Sequence, residues 1–152
     1  MARFVTQRDY EFMQHITREM IDETMDVGVI LYKIVVESAK INLYGESTSK
    51  PRYTPVKVNA VVNYNKNVVG TDGGFGTTQE QRVDFRFARR MLQDVNVYPE
   101  IGDIVGYNNH YYEINNIQET QLIAGKPGFS TAIICVAHLT RRTSIDIEEA
   151  PV

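Results

Sequence analysis

Four side chains in this 152-residue chain are of the types that most often do chemistry near neutral pH: His15, His110, His138 and the lone cysteine, Cys135. A thiolate beside an imidazole would be a nucleophile and its base, and imidazoles with thiolates would bind a transition metal. Their spacing supports neither arrangement. No two histidines stand at a metal-binding interval, and no second cysteine accompanies them. Cys135 precedes His138 by an odd number of residues in the apolar run AIICVAH, so on a regular strand the two point to opposite faces. The thiol therefore reads as a small buried hydrophobe. Asp22, Glu23 and Asp26 crowd one helix end and read as a solvated face rather than a metal site. The glycine-rich GTDGGFG (70–76) lacks the Gly-Lys-Ser/Thr ending of a phosphate cradle, and no convincing helix follows it. Arg82, Arg86, Arg89 and Arg90, with Arg141 and Arg142, could form a basic stripe. Asp84 and Asp94 interrupt it, which favours a salt-bridged exterior.

One further cluster is available. In PEIGDIVGYNNHYYEIN (99–115), His110, Asp103 and Glu113 could form a single polar site. The alternative makes Asn108-Asn109 the tip of a hairpin, with the charged groups facing water. Asparagine tolerates the positive φ that a two-residue turn demands. Tyr107 then pairs with His110, Gly106 with Tyr111, Val105 with Tyr112 and Asp103 with Ile114. Val105, Tyr107, Tyr112 and Ile114 fall on the core face, and on the other face Tyr111 shields bare backbone at Gly106. Gly102-Asp103, after Pro99, makes the turn that starts the hairpin. Every residue is accounted for without chemistry.

The elements around this hairpin follow from periodicity. Thr6-Gln7-Arg8-Asp9 resembles a capping box and starts a helix over about 7–26 that Gly28 closes. Phe12, Ile16, Met20 and Thr24, with Met13, share one side, and Glu11, His15, Arg18 and Asp22 share the other. The apolar side is expected to cover a sheet. After Gly28 the period changes to two. VILYKIVVE (29–37), VKVNAVVNYN (56–65) and RVDFRFA (82–88) read as strands, and STAIICVAHLT (130–140) as a central strand buried on both faces. In the second, Val56, Val58, Ala60, Val62 and Tyr64 share a face; in the third, Val83, Phe85 and Phe87 point inward. Three stretches, 43–55, 65–79 and 116–129, lack periodicity and read as long connections, and the acidic 145–152 as a loose tail. The expected fold is mainly β: a small β-barrel or sandwich over about 29–140, with one N-terminal amphipathic helix and long loops, in a single domain spanning 1–152.

Composition bounds the function. A hydrophobic fraction of 43%, a charged fraction of 23% and a net charge of −3 fit a soluble globular chain with no general attraction to nucleic acid. No apolar run approaches the ~20 residues that span a membrane, and MARFVTQRDYEF lacks the apolar segment of a secretory signal. A single cysteine excludes an internal disulfide and fits an intracellular origin. No enzyme, cofactor or metal is expected.

The order of residues is more informative. INLYGES (41–47), KPRYTPVKVNAVVNY (50–64), VDFRFARRMLQDVNVYPEIGDIVGYNNHYYEINNI (83–117), QLIAGKP (121–127) and AHLTRR (137–142) together resemble the neck, or head-closure, proteins of long-tailed, contractile-tailed bacteriophages. The best anchored part is the Pro-x-x-Gly-Asp turn at 99–103 with Tyr-Tyr-Glu-Ile at 111–114, and the resemblance covers about residues 7–145. One departure is size: some contractile-tail neck proteins are considerably longer, so this chain would be a version pared of their extra segments.

The resemblance implies a virion structural protein made in the host cytoplasm, with a β-barrel or sandwich core. It implies a homo-oligomeric ring, commonly of six copies, between portal or adaptor proteins on the head side and tail-terminator or tail-tube proteins on the tail side. Genomic DNA would pass through the lumen without sequence-specific binding. Ring contacts need area that a compact barrel lacks. The candidate interface is therefore placed on the apolar residues of the irregular stretches: Val68, Val69 and Phe75, with Gln121, Leu122 and Ile123. Two alternatives remain open. A tail-terminator ring would show more regular α/β alternation. A single-strand nucleic-acid-binding barrel would use Tyr44, Tyr53 and Tyr98 near their Lys and Arg neighbours, against the acidic net charge.

Overall fold

The computed structural model describes residues 6–34, 40–41, 47–49, 55–64, 68–71, 77–119, 123–126 and 128–140. Helix α1 (Gln7–Glu19) runs into a π-helical turn (Met20–Met25), followed by β1 (Gly28–Tyr32), β2 (Lys40–Ile41), β3 (Ser47–Ser49), β4 (Val56–Asn59) and β5 (Val61–Tyr64). Then come β6 (Val68–Thr71), β7 (Thr77–Glu80), β8 (Arg82–Ala88), α2 (Arg89–Val95), β9 (Ile104–Tyr107), β10 (His110–Gln118), a 3-10 turn (Ile123–Gly125) and β11 (Ala132–Leu139).

Seven strands form one antiparallel sheet in the order β4-β1-β9-β10-β11-β8-β5. Its two edge strands are halves of one run. Residues 56–59 pair with β1 and residues 61–64 with β8, so the sheet curls until its edges meet through the single residue Ala60. Ala60 is fully buried and its N–H donates to the Val27 carbonyl at 2.9 Å. The predicted strand at 56–65 is thus real but split, and the split is what rolls the sheet. Val58 and Ala60 are buried and Val56 and Val62 pack on the core, while Tyr64 at the far end is largely exposed. The mainly β class with one N-terminal helix stands as expected.

The core lies inside the curl. Leu31, Val83, Phe85, Phe87, Val105, Ile114, Ile133, Cys135 and Ala137 are wholly inaccessible. On β8 the alternation is as read from the sequence, with Arg82 and Arg86 exposed between the buried residues. β11 differs from expectation. It is an interior strand between β10 and β8, but Ile134, Val136 and His138 on its outer side are only half-buried. In β10 the pairing with β11 slips between Ile114 and Asn116. This bulge re-aims the strand so that Ile117, three residues after the inward Ile114, also packs on the core.

The hairpin forms in the register derived from its turn. Asn108 and Asn109 both have positive φ, 50° and 61°, and His110 pairs with Tyr107, Tyr111 with Gly106 and Tyr112 with Val105. The Ile114 N–H donates to the Asp103 carbonyl at 2.9 Å. A Cβ at Gly106 would be in ordinary contact with the Tyr111 ring at 3.7 Å but would meet the Tyr32 ring at 3.2 Å, so that ring would have to give by a few tenths of an ångström.

Several elements depart from the sequence reading. The helix is α-helical only to Glu19, then adopts π geometry, and Asp26 in the left-handed conformation (φ 44°) closes it; Gly28 instead opens β1. The stretch 65–79 is not structureless, because β6 and β7 pair as a hairpin within it. Ser47–Ser49, inside the supposed connection 43–55, pairs with Lys40–Ile41. β10 runs on to Gln118, and the seven-residue α2 follows β8 where no helix was expected. The proposed tail 145–152 lies outside the described residues.

Tyr112 is buried against Phe85, with ring centroids 5.6 Å apart, whereas His110 is exposed at the hairpin tip. Tyr112→Ala is expected to cost about 3–5 kcal/mol and His110→Ala under about 1 kcal/mol. Urea unfolding of both variants checks the ranking, and the reverse order would contradict the register.

Candidate functional site

The side chains suited to chemistry are dispersed. His15 is exposed on α1, and His110 has its Nδ1 at 2.7 Å from the Asn108 carbonyl oxygen. His138 sits on the outer side of β11, paired across the sheet with Glu113 and Arg82. Its Nδ1 is buried without a hydrogen-bond partner among the described residues. Cys135 faces the core, and burial, with a smaller effect of Asp103, pushes its thiol up to about 12. Such a thiol stays protonated and unreactive at neutral pH. The opposite faces expected for Cys135 and His138 are observed. Asp22 and Asp26 serve Asn59, whose amide donates to the Asp22 carboxylate at 2.6 Å and the Asp26 carboxylate at 3.3 Å. Among the described residues no three His, Cys, Asp or Glu side chains are placed to share a metal ion.

Asp103 corrects the expectation that the charged groups of the hairpin face water. It is only 1% exposed. Its carboxylate accepts from the Ile34 N–H at 3.0 Å and the Glu100 N–H at 2.8 Å, and the Lys33 ammonium lies 3.7 Å away. Lys33 also donates to the Tyr98 carbonyl at 2.6 Å and pairs with Glu100 at 3.3 Å. The group ties the end of β1 to the 98–103 loop beneath the hairpin. Burial holds the carboxyl above its ordinary value, against the opposing pull of the two N–H donors and Lys33. Two features of the sequence carry this signal: Asp103 in a Gly-Asp turn, and Lys33 as the one cation in VILYKIVVE.

Helix α1 overturns a second expectation. Its capping box forms, with the Asp9 N–H donating to Thr6 Oγ1 at 3.4 Å and the Thr6 N–H to the Asp9 carboxylate at 2.9 Å. Yet the face turned to the protein is Tyr10, Gln14 and Ile21. The Tyr10 ring stacks on Phe129 (centroids 4.6 Å, planes 9° apart), and its hydroxyl donates to the Ser130 carbonyl at 3.1 Å while accepting from the Gln14 amide at 2.6 Å. Arg18 adds an ion pair to Asp94 of α2 at 2.7 Å. Phe12 stands two positions from Tyr10, ~200° around the helix. The stripe expected to cover the sheet therefore points outward: Phe12 is 62% exposed, Met13 47%, Met20 45% and Ile16 39%. Tyrosine and glutamine won because a ring stack plus two hydrogen bonds orient the helix more strictly than aliphatic contact.

The interface residues chosen from sequence are not brought together by anything described. Val68 and Val69 stand on β6. Phe75, Gln121 and Leu122 lie outside the described residues. Ile123 is half-buried in the 3-10 turn, where its N–H donates to the Phe129 carbonyl at 2.9 Å and so helps hold the ring that seats Tyr10. Of the basic residues, Arg82, Arg86 and Arg90 are exposed and Arg89 pairs with Glu119 at 3.1 Å; Arg141 and Arg142 lie outside the described residues, as do Tyr44 and Tyr53. A cleft of about 240 Å³ runs past Tyr32, Gly106, His110 and Tyr111, and no Lys or Arg lines it. No helix among the described residues is long and apolar enough to cross a membrane.

No protein-family model matches this chain, and no curated protein matches it. Among solved structures, a chain of the "Virion of native gene transfer agent (GTA) particle" aligns with 76% of this chain and 94% of its own length. The identity is 12% and the TM-score 0.48, a likeness too slight to bear on function. What the fold and surface define is a class: a curled antiparallel sheet with a helix anchored by polar contacts and an apolar stripe turned to solvent.

Asp103→Ala would leave the Ile34 and Glu100 N–H groups without their acceptor, a loss of about 2–6 kcal/mol at ~1–3 kcal/mol for each unsatisfied group. Asp103→Asn should cost less. Because the folded carboxyl holds its proton more tightly than the unfolded one, its contribution is fullest below the ordinary aspartate value. That contribution is lost as pH rises through the elevated folded value. The margin of wild type over Asp103→Asn should accordingly shrink across that acid window in urea titrations, and a margin that widens would contradict the assignment.

Proposed function

We propose that this protein is a virion structural protein of a tailed bacteriophage: one subunit of a neck ring that closes the DNA-filled head and presents the docking surface for the tail. The observation that carries the reading is the ordered run of residues that resembles neck proteins, best anchored where the Asp103 turn and the Tyr111–Ile114 strand occur. That segment is a well-secured part of the fold, held by a buried carboxylate and by a hairpin whose register its two asparagines set. A subunit that bears head pressure and tail load needs rigidity of this kind. The work is mechanical, with no reaction and no cofactor, and DNA passes through the ring without sequence-specific contact. The partners are further copies of this chain, portal or adaptor proteins above, and tail-terminator or tail-tube proteins below.

A phage carrying a disrupted copy of this gene supplies the test. Cells infected by it should accumulate heads and separate tails of normal length that fail to join. Joined, infectious particles would contradict the proposal. Separate tails of abnormal length would point instead to a tail-terminator.

A further inference from the structure

We propose that the outward stripe of α1 docks on the outer sheet face of a second copy, at β5, β8 and β11, in a head-to-tail contact. The proposal rests on the self-association in the reading above, not on a place in the virion. Phe12, Met13, Ile16 and Met20 stay exposed although α1 is anchored, since Tyr10, Gln14 and Ile21 already fill its inner side. Through 7–25 the helical segment is roughly 28 Å long at ~1.5 Å per residue. Its apolar stripe is then a few hundred Å², the size of patch that on monomers is often functional.

Charge selects the occupant. Residues 7–26 carry two cationic and six acidic side chains, a formal −4, whereas the remaining chain holds 14 Lys and Arg against 13 Asp and Glu, a formal +1. Two such helices packed on each other would bring like charge together beside the stripe, through Glu19 and Glu23 of both. The outer side of β8 is mixed but net positive, with Arg82 and Arg86 flanking Asp84. Arg86 and Arg82 are exposed there, and the register places Arg86 between Val61 of β5 and Ile134 of β11, with Val136 beside Asp84. Val61, Ile134 and Val136 are half-buried, so cations interleave with accessible aliphatic surface. An acid-rimmed apolar stripe fits that surface in both chemistry and sign.

The two patches are separate on one molecule. Helix α1 sits by α2, the turn before β11 and one end of β8, where Tyr10 meets Phe129 and Ser130. The outer face of β8 and β11 lies along the side of the barrel. A contact between unlike patches is heterologous and repeats from copy to copy, as a ring or filament requires.

The test uses the full chain at low salt, by sedimentation velocity over a range of concentrations. Wild type should associate, and Ile16→Glu and Arg86→Glu should each weaken association at least tenfold, with urea midpoints unchanged because both positions are exposed. Phe12→Ser is the milder variant should Ile16→Glu disturb the helix. Head-to-tail geometry makes a sharper demand. Mixed together, the helix variant and the Arg86→Glu variant should form a one-to-one dimer that grows no further, because one intact helix meets one intact sheet. A monomeric wild type, variants that associate as wild type does, or a mixture that yields no dimer would each overturn the proposal. Rings that persist in both variants would overturn it while leaving the virion reading to the gene-disruption test.

Discussion

The run 56–64 must serve two edges of one sheet, and the rest of the molecule follows from that constraint. Its first half completes the ladder of β1 and its second half that of β8, with Ala60 as the joint. A larger side chain at this fully buried point would have to displace the core it faces. Because one continuous run occupies both edges, the main sheet offers few unpaired backbone groups to another chain. Association between copies must then use side-chain surfaces. The molecule has such a surface on α1, where an apolar stripe faces water although the helix is securely seated.

The Asp103 group shows how polar atoms are used in this fold. A buried carboxylate with a neighbouring lysine can be an acid, a base or an anchor, and its partners decide which. Here both oxygens are committed to main-chain N–H groups of two segments, Ile34 and Glu100. It fixes where β1 ends relative to the hairpin loop. Asn59 does the same for the π-helical turn, holding Asp22 and Asp26 with one amide. Polar groups that looked chemically promising in the sequence are, in these places, fasteners between elements.

Where local rules dominate, the sequence was legible. The hairpin over 103–114 could be drawn residue by residue, since two asparagines at positive φ set the register and a one-residue slip would turn Tyr112 and Val105 out of the core. The alternation of β8 was equally plain. Elements settled by tertiary contact were hidden. The docked side of α1 was misjudged because periodicity counts Phe12, Ile16 and Met20 as apolar and cannot foresee Phe129 stacking on Tyr10 from more than a hundred residues away. Nothing local marks Ala60 as the point where a clean alternation changes partners. The glycines of 65–79 conceal a hairpin, and Asp103 reads as a surface residue because turns usually place aspartate in water.

Which side of α1 faces outward in the free subunit is measured directly by thiol labelling of Phe12→Cys. Cys135 is the only natural cysteine and is buried with a protonated thiol, so it contributes no background in the folded protein. In dilute solution the new thiol should react with a maleimide at nearly the rate of a free cysteine in a short peptide, and slow down as concentration drives copies together. A thiol at position 12 that is protected at high dilution, with Tyr10→Cys reacting freely instead, would place the stripe against the sheet and contradict the account.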